Sequence, residues 1–392
     1  MRFRRTEPAP SPHDLHPPRS LQRLLDSAGI AVGGPQPWDL QVHEPRLYAR
    51  VLRQGSLGLG EAYMEGWWDC PALDQFFTRL LAVDVDRTLP GLGPLAMAWE
   101  GLRHRLRNLQ STARAFEVGR AHYDAGNDVF EAMLDPRMIY SCAYWEHATD
   151  LAQAQHDKLA MIGRKLELAP GLRLLDIGCG WGGLGAFAAE RHGTHVTGIT
   201  VSRQQLELAR LRTRGLSVEL QLMDWRRMQG RFDRIVSVGM FEHVGPKNYD
   251  AFFGHAARML EQDGLFLLHT IGVHRPQPAT DPWIDRYVFP NGKLPAASEL
   301  ARALERHFVL EDWHNFGPDY DRTLMAWHGN FERAWPGLAH RYDERFHRRW
   351  RYYLLCCAGF FRSRQGQLWQ LVLSPRSRQP VYRSFRPRGA AG

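Results

Sequence analysis

Acid–base side chains follow several short apolar runs in the second half of the sequence. Glu242 comes directly after FDRIVSVGMF, His269 lies inside LFLLHTIG, and Tyr320 follows FVLEDWHNFG. A carboxylate, an imidazole and a phenol at the ends of strands can move a proton or stabilise developing charge. Each of them alone is more often a satisfied polar group, and Glu242 could also be a charge at a helix N-terminus. No spacing of His, Cys and Asp indicates a metal site.

A glycine-rich loop is the second feature that could carry chemistry. It follows the apolar run LRLL and reads Asp176-Ile-Gly178-Cys179-Gly180-Trp181-Gly182-Gly183. This glycine spacing also satisfies the dinucleotide fingerprint, which expects an acid about 20 residues downstream to hold a ribose. The next predicted strand instead ends at Thr200 and continues into Val-Ser-Arg. The acid directly before the first glycine resembles motif I of S-adenosylmethionine-dependent methyltransferases, so this ligand is favoured over NAD or a purely structural turn.

From about residue 170 the chain alternates between strand-like apolar runs and amphipathic helices. Ser202, with Gln205 three residues later, forms a capping box that predicts a helix ending near Gly215. The alternation predicts an α/β, Rossmann-like fold with a mostly parallel sheet covered on both faces. Ligands of such sheets bind at the carboxyl ends of the strands. The predicted strands are 172–179, 194–200, 218–224, 232–240, 264–272, 308–317 and 367–374.

Composition limits the classes of protein and of partner. The 392 residues are 44% apolar and 23% charged, which excludes a disordered, collagen-like or coiled-coil chain. A net charge of +8 predicts an anionic partner, whether nucleic acid, a membrane face or an acidic small molecule. Five irregularly spaced cysteines form no disulfide framework. With no signal-peptide pattern and no apolar run of about 20 residues, we expect a cytoplasmic protein that touches a membrane without crossing it.

The organisation along the chain predicts five parts. Residues 1–20 are proline-rich and predict a disordered tail, and residues 21–95 predict a small N-terminal domain. The aromatic run AYMEGWWDC in that domain fits either a small core or an apolar surface that meets lipid or the second domain. Residues 96–114 predict a basic amphipathic connector helix, 115–376 a catalytic domain and 377–392 a basic tail.

Eight blocks of the sequence, in order, resemble the cyclopropane-fatty-acyl-phospholipid synthases. The likeness covers about residues 115–375 and extends more loosely to GLGEAYMEGWWD, which resembles the small N-terminal domain of that family. The mycolic-acid cyclopropane synthases look more distant, because they usually lack such a domain. The blocks are AHYDAGND, MIYSCAYWE, LLDIGCGWGGL, DRIVSVGMFEHVGPKNYD, LLHTIG, DPWIDRYVFPNGKLP, EDWHNFGPDYDRTLMAW and YYLLCCAGFFR.

The resemblance implies a reaction that moves a methylene group from S-adenosylmethionine to the cis double bond of an unsaturated phospholipid acyl chain, closing a cyclopropane ring. An alkene is a poor nucleophile, so such a site has to align both partners and exclude water. A related lipid C-methyltransferase, giving a methyl or methylene branch, is the alternative. The resemblance also implies a homodimer at the membrane surface. Nucleic acid is not expected as a partner, because many arginines lie in the tails and the connector rather than along one groove.

The resemblance also assigns residues by motif. Bicarbonate, taken as the general base in the family, would be held by Cys142, Glu242, His269, Ile271 and Tyr320, with Cys142 and Ile271 acting through side chain or backbone. Cys357 matches a family cysteine and is interpreted as a pocket-lining or structural residue. Trp225 has core packing as its alternative role. The residues expected to bind the cofactor are Tyr140, Ser141, Asp176, Gly178, Cys179, Gly180, Trp181, Gly182, Gly183, Thr200, Ser202, Gln205, Asp224 and Trp225.

Overall fold

The computed structural model describes residues 16–83 and 126–384. Residues 1–15 of the predicted N-terminal tail, the whole of the predicted connector helix and residues 385–392 of the predicted basic C-terminal tail therefore lie outside the described residues. The first segment contains three helices and a short antiparallel ribbon. These elements are α1 (Arg19–Ala28), β1 (Gln41–Val42), α2 (Arg46–Met64), β2 (Trp68–Asp69) and α3 (Leu73–Ala82).

A seven-stranded sheet organises the second segment. The strands are β3 (Arg173–Ile177), β4 (His195–Thr200), β5 (Val218–Leu222), β6 (Phe232–Val238), β7 (Leu260–Val273), β8 (Val309–Asn315) and β9 (Gly366–Ser374). Five of them pair in parallel in the order β5-β4-β3-β6-β7, and β9 then runs antiparallel between β7 and β8. The mostly parallel α/β fold is thus confirmed, with an antiparallel edge that the periodicity did not predict.

Helices connect these strands and cover the sheet. We number them α4 to α12 in chain order over the described residues. They are α4 (Asn127–Met133), α5 (Leu151–Lys165), α6 (Gly183–His192), α7 (Arg203–Arg212), α8 (Tyr249–Met259), α9 (Pro282–Tyr287), α10 (Ala297–Leu304), α11 (Pro318–Leu338) and α12 (Glu344–Arg362).

Several boundaries differ from the predicted ones. Ser202 caps α7 as expected, its hydroxyl accepting from the Gln205 backbone N–H at 3.3 Å. The reciprocal half of the capping box is not formed, because the Gln205 side chain accepts from the Thr200 hydroxyl instead. Helix α7 ends at Arg212, before Gly215, and β7 begins at Leu260 rather than at Gly264. Pairing of Leu260 with Phe232 extends β7 across a register shift in β6.

The N-terminal segment shares one apolar core with α9, α11 and α12. Tyr63 and Trp68, from the aromatic run, are almost fully buried, and Tyr63 packs against Tyr352 of α12. A Cβ at Gly359 of α12 would lie 2.5 Å from the Phe77 side chain, so the helices touch closely here. The run AYMEGWWDC therefore contributes to a core that both segments build. No helix within 16–83 or 126–384 has the length and apolar character needed to cross a membrane.

Candidate active site

The ends of three adjacent strands bring the predicted site residues together. In the parallel register Asp176 of β3 lies opposite Val236 of β6, and Val238 of β6 lies opposite His269 of β7. The glycine loop leaves β3, and Glu242 sits in a short 3-10 turn that follows β6. Strand order also reverses between β3 and β6, which is where ligands bind in open α/β sheets. The sheet thus positions the acid–base residues beside the glycine loop.

Backbone conformation explains why the loop after β3 is rich in glycine. Gly178, Gly180 and Gly182 have φ values of 90°, 54° and 79°, which other residues rarely adopt. A Cβ at Gly178 would lie 2.7 Å from the Met240 side chain, and one at Gly183 would lie 2.3 Å from the Arg137 carbonyl oxygen. The loop is therefore a cradle in which backbone, without side chains, can approach a ligand.

Asp176 begins this cradle with a buried carboxyl group. Its Oδ2 atom is buried and has no hydrogen-bond partner. Burial raises the pKa of Asp176 to about 7, and the nearby ammonium of Lys158 acts in the opposite direction. A ligand with an ammonium group would supply the missing donor and favour the carboxylate. The residues present therefore fit S-adenosylmethionine, which carries such a group.

The predicted ribose and adenine contacts lie at the ends of β4 and β5. The Thr200 hydroxyl donates to Gln205 Oε1 at 3.1 Å and accepts from the Ser202 backbone N–H at 3.2 Å. Asp224 accepts from the Arg226 backbone N–H at 2.9 Å and pairs with the guanidinium of the same residue at 2.9 Å. These polar groups are thus already bonded to one another.

Two tryptophans predicted to bind the cofactor lie in the core. Trp225 packs edge-on against Phe252, with ring centroids 5.1 Å apart, and belongs to the cluster between the sheet and α8. This position fits the core role that the sequence left open for it. Trp181 is 2% exposed and donates from Nε1 to Asn127 Oδ1 at 3.1 Å. The Trp181 ring is thus a core side chain in this structure, and its contact with the cofactor stays a prediction. The thiol of Cys179 is also buried, which raises its pKa.

The loop that carries Tyr140, Ser141 and Cys142 is bonded to both α5 and α12. Tyr140 and Tyr353 of α12 share a hydrogen bond of 2.6 Å between their hydroxyl oxygens. Ser141 Oγ accepts from Lys158 Nζ at 2.9 Å. The Cys142 thiol is fully buried and donates to the carbonyl oxygen of Ala143 at 3.2 Å. Burial raises the pKa of that thiol well above its usual value, so it is neutral.

Only one carboxyl oxygen of Glu242 accepts a hydrogen bond. Its Oε1 accepts from the Ile271 backbone N–H at 2.7 Å. Its Oε2 is buried with no partner in hydrogen-bond geometry, although the Thr270 hydroxyl lies near enough to lower the carboxyl pKa. Burial dominates and raises the pKa of Glu242 to about 7. Such a carboxyl can hold or release a proton near neutral pH.

His269 is buried on β7, two residues before Ile271, whose backbone N–H holds Glu242. The side-chain amide of Gln370 on β9 donates to His269 Nδ1 at 3.2 Å, which leaves the proton of the neutral ring on Nε2. Nε2 is buried and has no partner. Burial lowers the pKa of His269 well below its usual value, and the charges of Lys158 and Lys165 add to this effect. The ring is therefore a neutral donor.

An apolar cluster surrounds these groups. Cys142, Phe316 and Leu368 form it together with the side chains of Ile271 and Tyr320. Tyr320 stacks on Phe361 of α12 with ring centroids 4.5 Å apart, and Phe316 lies 5.7 Å from the His269 ring. Burial raises the pKa of Tyr320 well above its usual value, so the phenol stays protonated. The structure thus brings together all five residues predicted to hold bicarbonate, Cys142, Glu242, His269, Ile271 and Tyr320. We call this group the anion cage.

Other residues complete the description of the site. Cys357 of α12 is half-buried against the main core and lies near enough to influence Tyr320 electrostatically. His243, next to Glu242, has its ring beside Phe289 instead. Sequence reasoning missed Gln370, Lys158 and Tyr353. The only sequence signal for them was a polar side chain inside an otherwise apolar strand or helix face. Within the described residues, no cluster of three or more His, Cys, Asp or Glu could hold a metal ion.

The strand order and the glycine loop after β3 define a class I S-adenosylmethionine-dependent methyltransferase. The family model described as mycolic acid cyclopropane synthetase matches residues 110–371. The chain is 53% identical over 356 residues to the cyclopropane-fatty-acyl-phospholipid synthase of Escherichia coli (strain K12), covering 91% of this chain and 93% of that relative. The chain therefore belongs to the cyclopropane synthase family, and the resemblance seen in its sequence is confirmed.

Two further comparisons show how the family varies. The tuberculostearic acid methyltransferase UfaA1 of Mycobacterium tuberculosis is 34% identical, covering 90% of this chain and 87% of that relative. A crystal structure of the mycolic acid cyclopropane synthase CmaA1 complexed with SAH and CTAB has a TM-score of 0.61 and 33% identity. It covers 66% of this chain and 97% of the other. The mycolic-acid enzyme is thus shorter and less similar, in agreement with the sequence analysis.

Proposed function

We propose that this enzyme transfers a methylene group from S-adenosylmethionine to the cis double bond of an unsaturated phospholipid acyl chain and closes a cyclopropane ring, with bicarbonate as the general base. One observation carries the proposal. Glu242 Oε2 and His269 Nε2 are both buried and unpartnered, next to an apolar cluster at the strand ends that follow the glycine loop. A hydrogen-bond acceptor and a hydrogen-bond donor can bind a small anion, and the apolar side chains around them can bind a hydrocarbon chain.

The residues of this cage fit bicarbonate by their hydrogen-bonding character. His269 Nε2–H and the protonated Tyr320 hydroxyl are donors for anionic oxygens, and the Glu242 carboxyl can accept from a hydroxyl group. Bound bicarbonate would supply a base that accepts the methyl proton lost on ring closure. Glu242, with a pKa of about 7, can take up or release a proton beside it. Ile271 holds Glu242 in place through its backbone N–H.

The apolar side chains of the cluster have a separate task. Phe316, Leu368 and Phe361 surround the cage with side chains that cannot act as nucleophiles. Exclusion of water matters, because water would capture a carbocation as an alcohol. S-adenosylmethionine supplies the transferred carbon as an activated methyl group. The related CmaA1 was crystallised with CTAB, an amphiphile with a long alkyl chain, which supports an acyl chain as the substrate here.

We further propose a peripheral position on the membrane and a homodimer. The net charge of +8 supports attraction to anionic lipid. Trp67, which follows α2, is half-exposed, and Leu52 on α2 is exposed. An aromatic ring and a leucine at the surface are suited to the interface between headgroups and acyl chains. The guanidinium groups of Arg46 and Arg50 beside the Trp67 ring are ion-paired with Glu44 and with Glu61 and Glu65, so the attraction to anionic lipid is assigned to the net charge.

The similarity to UfaA1 supports a second candidate function, the formation of a methyl or methylene branch. Product analysis distinguishes the two. Ring closure adds the mass of one CH2 group, removes olefinic protons and creates cyclopropyl proton signals. A methylene branch, or a methyl branch formed by loss of a proton from the chain, keeps olefinic protons and lacks cyclopropyl signals. A saturated methyl branch lacks both signals and requires a hydride from an added reductant. Lipids from cells that express the protein therefore decide the product.

The role of Glu242 is tested by E242Q. The amide oxygen can still accept from the Ile271 N–H, so the variant keeps the shape of the site and loses only the ionisable group. We expect turnover on unsaturated phospholipid vesicles to fall by about 10²–10⁴ with unchanged affinity for S-adenosylmethionine. The exposed Glu207 of α7 provides a control, E207Q. Turnover of E242Q near that of the wild type would refute the assignment.

A further inference from the structure

Thr323, on the second turn of α11, is fully buried and contacts the loop that carries Cys142. Its hydroxyl donates to the carbonyl oxygen of Asp319, one turn earlier, at 2.8 Å. The same oxygen accepts from the Ala143 backbone N–H at 3.1 Å and from Trp145 Nε1–H at 2.9 Å. A hydroxyl offers one donor and two acceptor positions, so this hydroxyl uses all of them.

Thr78 of α3 shows what an ordinary helical threonine does. Its hydroxyl donates to the Asp74 carbonyl oxygen at 2.8 Å and makes no other hydrogen bond within residues 16–83 and 126–384. Such a bond to the preceding turn is common for threonine in a helix and involves that helix alone. The acceptor positions of Thr323 instead bind a segment 180 residues earlier in the chain. The Thr323 hydroxyl therefore connects two distant parts of the sequence.

Two neighbours of Thr323 bind the same segment. The Asp319 carboxylate accepts from the Trp145 backbone N–H at 2.7 Å, and Arg322 donates to the Trp145 carbonyl oxygen at 3.0 Å. The Arg322 guanidinium also lies 4.7 Å from the centre of the Trp145 ring. We call Asp319, Arg322 and Thr323 the α11 clamp, because together they fix Trp145 and the residues before it.

The α11 clamp connects two residues of the anion cage. Tyr320 lies on the first turn of α11, between Asp319 and Arg322 in the sequence. Cys142 directly precedes the clamped segment, and its Sγ lies 3.9 Å from Thr323 Oγ1. Cys142 and Tyr320 also belong to one apolar cluster. The clamp therefore fixes the position of Cys142 relative to Tyr320.

The other three cage residues are positioned by the sheet. His269 and Ile271 lie on β7, and Glu242 follows β6 and accepts from the Ile271 N–H. Cys142 lies on a loop outside the sheet, and α11 follows the edge strand β8. Contacts between that loop and α11 therefore decide where the part of the cage outside the sheet lies.

We propose that Thr323 is a positioning residue for the anion cage: its hydroxyl holds the Cys142 loop against α11, so that Cys142 and Tyr320 face the same bound anion. The inference rests on the proposed function, in which the cage holds bicarbonate. T323V keeps the shape of the side chain and leaves the Ala143 N–H and Trp145 Nε1–H without their acceptor. Because a buried donor without an acceptor is unfavourable, the loop shifts and the cage loses its geometry.

The experiment compares T323V and T323S with the wild type on vesicles of unsaturated phospholipid. Initial rates give kcat, bicarbonate added to CO2-depleted buffer gives the apparent affinity for the anion, and calorimetry without lipid gives the affinity for S-adenosylmethionine. In T323V we expect kcat to fall about 10–100-fold and the apparent affinity for bicarbonate to fall about tenfold, because a displacement of about 1 Å has effects of this size. Affinity for S-adenosylmethionine stays at the wild-type value. T323S keeps the hydroxyl and restores kcat and the bicarbonate affinity.

Two further variants separate the clamp from general effects of losing a threonine hydroxyl. T78V removes a hydroxyl that bonds only to its own helix, so kcat should equal that of the wild type. T323A replaces T323V if the latter does not fold, because it removes the same hydroxyl without placing a methyl group beside the two buried donors.

The outcomes are distinct. T323V with the kcat of the wild type would overturn the proposal, and so would T323S as slow as T323V, because the hydroxyl would then not be the group that matters. A loss of affinity for S-adenosylmethionine as large as the loss of kcat would overturn it as well, since that pattern indicates damage to the whole site. A wild-type rate that is independent of bicarbonate would refute the proposed base instead, and kcat of T323V and T323S would still decide the role of Thr323.

Discussion

On the β4 and β5 side of the site the polar side chains are bonded to one another, whereas on the β6 and β7 side two buried polar atoms have no partner. Thr200 is bonded to Gln205 and to Ser202, and Asp224 to Arg226. Glu242 Oε2 and His269 Nε2, by contrast, are buried without partners. The same sheet therefore carries one side whose polar side chains are bonded within the protein and one side with two buried polar atoms that lack a partner.

This difference has an energetic meaning. A buried polar atom without a partner destabilises the folded state by about 1–3 kcal/mol. Such an atom needs an explanation, and service to a ligand or a reaction is one of them. The comparison therefore predicts that substitutions on the β6 and β7 side affect turnover strongly, and that substitutions on the β4 and β5 side have small effects on cofactor binding.

Among substitutions that keep Glu242, the largest effect is expected from H269F, which keeps a planar ring and removes both ring nitrogens. The neutral imidazole donates from Nε2 into the cage, and removal of one such preorganised donor reduces the rate by about 10²–10³. Binding of S-adenosylmethionine should be unchanged, because His269 lies on β7 and not in the glycine loop. Initial rates on unsaturated phospholipid vesicles and calorimetric affinities give the two quantities. Equal losses in rate and in affinity would contradict the division of the site into two sides.

A second effect concerns the stability of the folded protein. The pKa of Glu242 is raised from 4.5 to about 7, so the folded state keeps a proton that the unfolded chain has already lost between these pH values. As pH rises through this window, ionisation of Glu242 destabilises the wild type relative to E242Q. The difference changes by at most about 1.4 kcal/mol per pH unit and levels off above pH 7.

Denaturant unfolding of the wild type and E242Q at several pH values measures this difference. Comparison of the two proteins at each pH removes the contribution of His243, whose pKa burial lowers to about 4 and whose effect on stability has the opposite sign. E207Q, which changes an exposed carboxylate, should follow the wild type at every pH. A stability difference between E242Q and the wild type that is independent of pH would mean that Glu242 does not titrate in this range.

The sequence predicted the glycine loop and the strand ends better than it predicted the partners of the cage residues. The glycine loop and the strand ends depend on local signals, such as glycine spacing and apolar periodicity, and the structure places them within a few residues of the expected positions. The partners of the cage residues depend on long-range pairing. Gln370 reaches His269 only because β9 inserts antiparallel beside β7, and no local pattern encodes that insertion.

Trp225 shows a further limit of prediction from sequence. Trp225 sits in a family motif, and its sequence position fits an adenine contact as well as a core contact. In the structure the ring fills the space above Phe252, and the Arg226 guanidinium lies 4.6 Å from its centre. The choice depends on side-chain packing between β5 and α8, which the pattern of residues along one strand does not contain.

The smallest effect is expected from T200V, which keeps the shape of the side chain and removes its hydroxyl. Gln205 Oε1 and the Ser202 N–H each lose one hydrogen bond, which corresponds to about 0.5–1.5 kcal/mol per bond. We expect KM for S-adenosylmethionine to rise by less than about tenfold, with kcat unchanged, in steady-state assays. Because Thr200 touches neither Glu242 nor His269, a large fall in kcat would show that the two sides are coupled. Thr200 on β4 would then belong functionally with the β6 and β7 side, and the division of the site would not follow the strand order.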